Sequence, residues 1–365
     1  MRLQEIKLVN FRKHLDLTFA PGEGINLIYG QNGSGKTNIL EAVHYCSLSR
    51  GLNRSLDKEC LNFSADYFLL KSRFLDDRDI ELSVKVSYSG KTDKKIVVNG
   101  EELNKFSQLI GRVPCITFSP AELVVVTGSP QERRRFVDNA LSQTDKRYLE
   151  DLLQYRRVVQ QRNSLLSMMH DEGLDRDSLA VWSEKLSLLA ASIMTVRTEF
   201  LFILLEYFRP LYENFGLDEI PGFSYRSTIG KFGPDVSGEE IIETMMHRFR
   251  DIETQELIRK QTLIGPHRDD IMFQLNNVEV KKYASQGQLR TFFIALKLAL
   301  HKYVLEVTGE RPLFLLDDLF SELDRKRAES VIQQLESSGQ SIITSTERLQ
   351  METLHATSIN DMITT

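Results

Sequence analysis

Apolar and polar positions alternate over residues 3–9 (LQEIKLV) and again over 15–19 (LDLTF). That period of two predicts a hairpin with one buried face. The run GINLIY at 24–29 is apolar enough for a buried strand, and 38–48 has the spacing of a helix. Alternation returns at 67–75 and 80–88, and KTDKKIVVNG at 91–100 predicts a turn, a strand and a tight Asn99-Gly100 turn. The first 118 residues are therefore expected to be mostly sheet around one helix.

The period changes after Phe118. Long helical patterns cover 131–169 and 178–206, separated by HDEGLDRD at 170–177. At 1.5 Å rise per residue each would reach roughly 45–55 Å. Leu179, Trp182, Leu186, Leu189, Ile193, Val196 and Phe200 keep a three-to-four step, a buried seam. Two long consecutive helices suggest an antiparallel arm; a packed helical subdomain fits the same pattern. Prolines and glycines make 210–240 irregular, with a short strand near 223–225. Then follow a helix at 239–259, a strand at 271–275, a loop at 285–288 and an apolar helix at 289–307. PLFLL at 312–316 is apolar throughout, as a central parallel strand should be. Helix 325–337 and strand 340–344 complete an alternating pattern. The fold class is α/β. Residues 1–118 and 263–365 are expected to share one head, with a mainly helical arm or second lobe at 119–262 inserted between them.

Composition narrows the class. A chain of 365 residues suggests roughly two domains. Forty-six Lys plus Arg against 51 Asp plus Glu give a net charge of -5, which excludes a strongly basic architectural DNA binder but not a local basic face. Cys46, Cys60 and Cys115 match no zinc or redox spacing and suit a reducing compartment. The N-terminus lacks the pattern of a signal peptide, and no apolar run approaches the ~20 residues of a membrane span. A cytoplasmic location is expected.

GQNGSGKT at 30–37 has the phosphate-loop spacing, between a buried strand and a helix. Its glycines allow backbone N–H groups close to phosphate oxygens, Lys36 would hold the β and γ phosphates, and Thr37 would ligate Mg²⁺. LFLLDDLFSELD at 313–324 delivers Asp317 and Asp318 to the carboxyl end of a buried strand, where an open α/β sheet places ligands. Asp317 is the natural magnesium partner; Asp318 is placed to polarise an attacking water. SQGQLR at 285–290 opens a helix. By itself it reads as an N-cap or as a second anion site.

Together these motifs resemble ABC-type ATPase heads, and within them the RecF family of bacterial recombination mediators. GQNGSGKTN with the preceding NFR (10–12) resembles the phosphate-loop region shared with chromosome-maintenance and break-repair ATPases. SQGQLR resembles their signature motif, LLDD (315–318) their acidic strand and SELD (321–324) their D-loop. GSPQERRRFVD (128–138) and GPHRDD (265–270) resemble the RecF family itself. The resemblance implies ATP and Mg²⁺ as cofactors. It implies nucleotide contacts from Arg12, Gly30, Asn32, Gly33, Ser34, Gly35, Lys36, Thr37 and Asn38, with metal at Thr37 and Asp317. Ser285, Gly287 and Gln288 would close on ATP held by a second subunit, and Asp324 would cross the dimer. Lys36, Asp317, Asp318 and Ser285 would carry catalysis. Two departures stand out. Asp318 occupies a position where transport ATPases usually place Glu, and the expected switch histidine is replaced by Thr344-Ser345-Thr346. A glutamine-loop residue is not obvious near 118–122.

Between Gly128 and Leu165 eight basic residues face five acidic ones. Arg133, Arg134 and Arg135 are DNA-binding candidates there, with Arg73, Lys91, Lys94 and Lys95 from the first sheet. A solvated face of ion pairs fits the same composition. The resemblance implies an ATP-dependent homodimer that binds double-stranded DNA and duplex–single-strand junctions, hydrolyses ATP slowly with DNA stimulation, and works with RecR, RecO and the recombinase RecA in repair of single-strand gaps. The alternatives are an ATPase subunit of a transporter, or a DNA-binding module clamped by ATP without significant catalysis.

Overall fold

β1 (Arg2–Phe11) buries Leu3, Ile6 and Leu8, a spacing that changes parity between Leu3 and Ile6. The cause is a register shift between Leu3 and Glu5 against β4, a bulge that moves the buried face by one residue. The computed structural model describes the chain except residues 53–54, 91, 173–175, 217–218, 231–232, 234, 324, 349–353 and 364–365.

After β1 come β2 (His14–Phe19), β3 (Ile25–Tyr29), α1 (Lys36–Leu48), β4 (Tyr67–Leu75), β5 (Glu81–Ser89), β6 (Thr92–Val98), β7 (Glu101–Glu102) and β8 (Cys115–Phe118). The helical stretch comprises α2 (Val124–Thr127), α3 (Pro130–Thr144), α4 (Lys146–Glu172), α5 (Arg176–Glu213), β9 (Pro221–Arg226), α6 (Gly238–Arg259), β10 (Asp270–Leu275), β11 (Val278–Glu279) and α7 (Val280–Tyr283). The chain ends with α8 (Gln286–Thr308), β12 (Leu313–Leu316), α9 (Arg325–Glu336), β13 (Ser341–Ser345), β14 (Leu354–Ser358) and α10 (Ile359–Ile363).

Two compact units result, Met1–Leu123 with Thr291–Thr365, and Val124–Arg290. The first holds an antiparallel sheet ordered β2-β1-β4-β5-β6-β7 and a parallel sheet ordered β14-β3-β13-β12-β8. Strands from both ends of the sequence thus lie in one sheet. Its core joins β1, β4 and α1, where the rings of Phe11, Tyr45 and Phe68 meet edge to face at 5.3–6.2 Å.

The second unit packs α4 along α5. Asp151 accepts from Ser192 at 2.6 Å, and Arg162 donates to Ser183 at 3.0 Å, pairings that run antiparallel. Arg162 also pairs with Glu256 of α6 at 2.6 Å, with both side chains at most 1% exposed. The expected helix over 131–169 is two helices, because Asp145 adopts extended dihedrals and its carboxylate caps the Tyr148 N–H at 3.0 Å. The second long helix continues through Pro210 to Glu213. It is long and apolar enough by composition to cross a membrane, contrary to the expectation that no segment would be. Half of its most apolar window is buried within the fold.

Residues 263–290, grouped above with the head, cluster with the second unit. The reason is a buried polar network. Asp269 accepts from the Tyr225 hydroxyl at 2.7 Å and from the Thr228 N–H at 2.7 Å. Arg197 donates to Asp138 at 2.7 Å and to the Pro266 carbonyl at 2.7 Å. These bonds tie the GPHRDD segment to α3, α5 and β9.

Candidate nucleotide site

The phosphate loop leaves β3 with the Gly30 N–H donating to the Ser345 carbonyl at 3.3 Å. Gly30 has φ +156°, and a Cβ there would sit 2.7 Å from Cγ2 of Ile359. Gly35 has φ +100°, and a Cβ there would sit 2.8 Å from Nε2 of His14. Both positions require glycine, one by close packing of α10 and one also by its left-handed backbone. The Lys36 ammonium donates to the carbonyls of Gly30 at 2.7 Å and Gln31 at 2.8 Å, which curls the loop around it. Burial lowers its pKa, while Asp318 and Asp317 act in the opposite direction.

The β1–β2 turn supports this loop, a contribution the sequence reading missed. His14 is buried, and its Nε2 lies 3.1 Å from the Gly35 carbonyl, so that nitrogen carries the proton. Burial lowers the His14 pKa, which keeps the ring neutral. The Lys13 ammonium donates to the Gly33 carbonyl and lines the cleft. The available signal was the pair Lys13-His14 directly after Arg12. Arg12 itself turns inward. It grips Glu41 of α1 at 2.7 and 2.8 Å, Ser55 and the Glu59 carbonyl. In this structure the expected nucleotide contact is thus an internal clamp.

The acids lie as the apolar strand predicts. The Asp317 N–H continues the ladder to the Phe118 carbonyl at 2.8 Å. Its Oδ1 accepts from Thr37 at 2.7 Å and from Thr344 at 2.7 Å. Asp318 takes a left-handed backbone, φ +48°, and its N–H donates to Oγ1 of Thr344 at 3.1 Å. Together Lys13, Asn32, Gly33, Gly35, Lys36, Thr37, Asn38, Pro120, Asp317, Asp318, Thr344 and Thr346 line a cleft of about 480 Å³. From the segment 118–122 only Pro120 is among these lining residues. Glu122 turns to Thr117 at 3.0 Å and Lys297 at 3.1 Å.

The lining fits a metal–triphosphate. Within the phosphate loop, beside the lining residues, the Oγ of Ser34 is buried without a hydrogen-bond partner among the described residues. The hydroxyl of Thr37 beside one carboxylate is the donor set of a small hard cation that takes its remaining ligands from phosphate and water.

Ser285, Gly287 and Gln288 belong to the second unit. Ser285 is exposed at the start of α8; its Oγ accepts from the Gln288 N–H at 3.2 Å, and the Gln288 side chain accepts from the Ser285 N–H at 2.8 Å. Gln288 also donates to Glu219, so its amide has internal partners at both ends. Asp324 lies outside the described residues.

The DNA candidates divide. Arg133 is 2% exposed, forms two 2.9 Å bonds to Asp270 and donates to the Gly128 carbonyl; this corrects its reading as a surface phosphate contact. Arg134 is half-buried and donates to the Asp269 carbonyl, a second correction of the same kind. Lys94 is a third. Its ammonium donates to the Ser49 carbonyl at 2.8 Å, pairs with Asp57 at 3.1 Å and lies over the Tyr45 and Phe106 rings. Arg73 and Lys95 keep exposed side chains with partners at 3.5–4.0 Å, and Arg135 is half-buried and donates to Glu132 at 3.1 Å. Lys91 lies outside the described residues.

A parallel five-stranded sheet with a phosphate loop on β3, an acid pair after β12 and an inserted helical unit defines an ABC-type ATPase head. The model of the RecF/RecN/SMC N terminal domain matches residues 2–363. Within that class the chain belongs to the RecF family. It is 64% identical, over all of both chains, to the DNA replication and repair protein RecF of Chlorobium phaeobacteroides. It is 53% identical to that of Prosthecochloris aestuarii, covering 100% of this chain and 98% of the relative. Its fold superimposes with a TM-score of 0.91 on the recombination mediator protein RecF-ATP of the RecFOR pathway, at 33% identity and 96% and 93% coverage. An SMC head bound to the C-winged helix domain of ScpA matches with a TM-score of 0.56 at 13% identity, a likeness of fold alone; 96% of this chain and 92% of that one are covered.

Proposed function

We propose that the protein is an ATP-dependent, duplex-DNA-binding switch of cytoplasmic recombinational repair. Two subunits sandwich ATP between the phosphate loop of one and the Ser285 loop of the other, close on DNA, and reopen after slow, DNA-stimulated hydrolysis. The carrying observation is the 2.7 Å bond between Thr37 and Asp317, which sets the hydroxyl and carboxylate for a metal beside Lys36 in one cleft. Mg²⁺ bound there supplies charge neutralisation of the β and γ phosphates. Lys36 binds the same phosphates, Asp317 and Thr37 hold the metal, and Asp318 orients the attacking water. The exposed cap of α8 supports a role for Ser285 on a partner's nucleotide. Membership of the RecF family supports action at gaps and duplex–single-strand junctions, with RecR, RecO and RecA as pathway partners. The exposed Arg73 and Lys95 and the half-buried Arg135 are the cations offered to the duplex backbone.

Sedimentation with ATP and a short duplex tests this reading. The wild-type chain is expected to form dimers only with ATP. Ser285→Arg is expected to bind ATP and remain monomeric, because bulk at the helix start blocks close apposition. Dimerisation of the variant at the wild-type concentration dependence removes the role in trans; absence of ATP-driven assembly in the wild type removes the switch.

A further inference from the structure

We propose that Thr344 is a positioning residue for the two catalytic acids, joining them through a single hydroxyl. The proposal rests on the nucleotide-site reading above and goes beyond it to a residue no role has been given.

β12 and β13 are parallel neighbours in register at Leu316 and Ile343, so Thr344, still paired with Ile28 of β3, is one residue past the last position paired with β12, as Asp317 is one residue past its own. The chain then leaves the ladder. Asp318 takes φ +48°, and its N–H would lie inside the fold edge without a strand carbonyl to meet. Oγ1 of Thr344 accepts that N–H at 3.1 Å and donates its own proton to Oδ1 of Asp317 at 2.7 Å. Thr344 is 1% exposed, so water does not compete for either bond.

The result is a directed chain of hydrogen bonds. It runs from the Asp318 backbone through the Thr344 hydroxyl to the Asp317 carboxylate, whose Oδ1 also accepts from Thr37. One end fixes the backbone that aims the Asp318 side chain into the cleft. The other fixes the rotation of the Asp317 carboxyl, the group assigned to the metal. A neighbouring threonine, Thr346, also lines the cleft; Thr344 bonds both acids. Hydroxyls that orient metal-binding carboxylates act through geometry, and their loss typically lowers metal affinity or activity about 10–100-fold.

Thr344→Val is the decisive variant. It keeps the β-branched shape and strand propensity and removes only the hydroxyl. Three quantities are read: kcat and KM for ATP under DNA-stimulated conditions, the Mg²⁺ concentration that half-saturates binding of a fluorescent ATP analogue, and the melting temperature. Thr344→Val is expected to lower kcat about 10–100-fold and raise the half-saturating Mg²⁺ about tenfold. KM is expected to change little, because Lys36 and the loop remain. Thr344→Ser is expected to restore both readouts to within about threefold.

Wild-type kcat and Mg²⁺ dependence in Thr344→Val overturn the proposal, as does a serine variant no better than valine, which assigns the effect to the methyl group. Should valine prevent folding, the same comparison is made between Thr344→Ala and Thr344→Ser; equal values in that pair overturn the proposal. A wild-type chain that neither binds nor hydrolyses ATP instead defeats the underlying nucleotide-site reading, which keeps the two failures distinct.

Discussion

Arg12 and Glu41 are joined by two parallel hydrogen bonds, Nε to Oε2 at 2.7 Å and Nη2 to Oε1 at 2.8 Å. The hydrogen bond to Glu41 raises the arginine pKa, with burial opposing it. Glu41 is buried on α1 and Arg12 stands at the β1–β2 turn, so the fork fastens that turn to the helix that follows the phosphate loop.

Replacement of Arg12 by Lys keeps the charge and loses the fork. Arg12→Lys is expected to destabilise the protein by about 1–3 kcal/mol, read from the urea midpoint, because Glu41 keeps a cation but loses one of two bonds. With a clamp as its main role, ATP affinity measured well below the unfolding transition is expected to stay within about threefold of wild type. A tenfold or greater loss would return Arg12 to direct nucleotide contact.

Asp318→Asn tests the water-orienting acid. Asn tolerates φ +48° about as well as Asp, so the substitution removes charge without straining the backbone. Magnesium and ATP should still bind through Asp317 and Thr37. Single-turnover phosphate release at saturating ATP is expected to fall about a hundredfold or more. An unchanged rate would show that another group activates water. The left-handed backbone also accounts for the short acid here: Asp318→Glu puts a residue less suited to positive φ at that position, and is expected to lose stability rather than gain rate.

The arginine run separates two kinds of cation. Arg133→Ala leaves the half-buried Asp270 without its fork and is expected to cost about 1–3 kcal/mol of stability, with duplex affinity of the folded protein unchanged. Arg135→Ala, Arg73→Ala and Lys95→Ala are expected to leave stability within about 0.5 kcal/mol. Each is expected to weaken binding to all duplex sequences alike and reduce the salt slope by up to about one. Fluorescence anisotropy across a salt series measures this. If none of the three changes the slope, the duplex path lies on other residues.

Three histidines give the fold an acid sensitivity. Burial pushes His44, His267 and His301 each down to about 4, with backbone carbonyls at 2.9, 3.2 and 2.7 Å opposing the shift. The unfolded chain takes up these protons near pH 6.5 and the folded chain does not until about 4, so stability is full above about 6.5 and falls through that window. Each histidine contributes at most about 3 kcal/mol across it. His301→Gln is expected to flatten the dependence of the urea midpoint on pH between 6.5 and 5; an unchanged slope would show that His301 is already charged in the native protein.

Local chemistry made much of the candidate cleft legible. The phosphate loop, the apolar strand and the acid pair are contiguous segments whose own patterns fix their conformation, and they occupy the edges those patterns imply. What escaped depends on distant partners. Lys94 and Arg133 look like solvated cations until Asp57 and Asp270 are folded against them. Arg133 lies in GSPQERRRFVD and Asp270 in GPHRDD, so two segments singled out separately are halves of one ion pair. The break at Asp145 was readable, since aspartate is a good helix cap, but the continuous apolar period on either side hid it. β14 and α10 were not anticipated, because LHATS at 354–358 lacks the apolar run of a central strand; pairing along β3 recruits it.

The order of strands in the parallel sheet also bears on synthesis. β3 lies between β13 and β14, and Asp317 bonds Thr37 across 280 residues of sequence. At roughly 5–20 residues per second, a ribosome that has just made the phosphate loop needs about 15–60 s more to produce its acidic partner. During that interval β3 has neither of its lasting neighbours in the sheet. A nascent chain stopped before β12 therefore carries the phosphate-loop sequence without Asp317, the acid proposed to hold the metal. On the proposed reading the cleft is complete only once Asp317 and Thr344 have joined the phosphate loop, so the order of the sheet ties assembly of the site to the C-terminal strands.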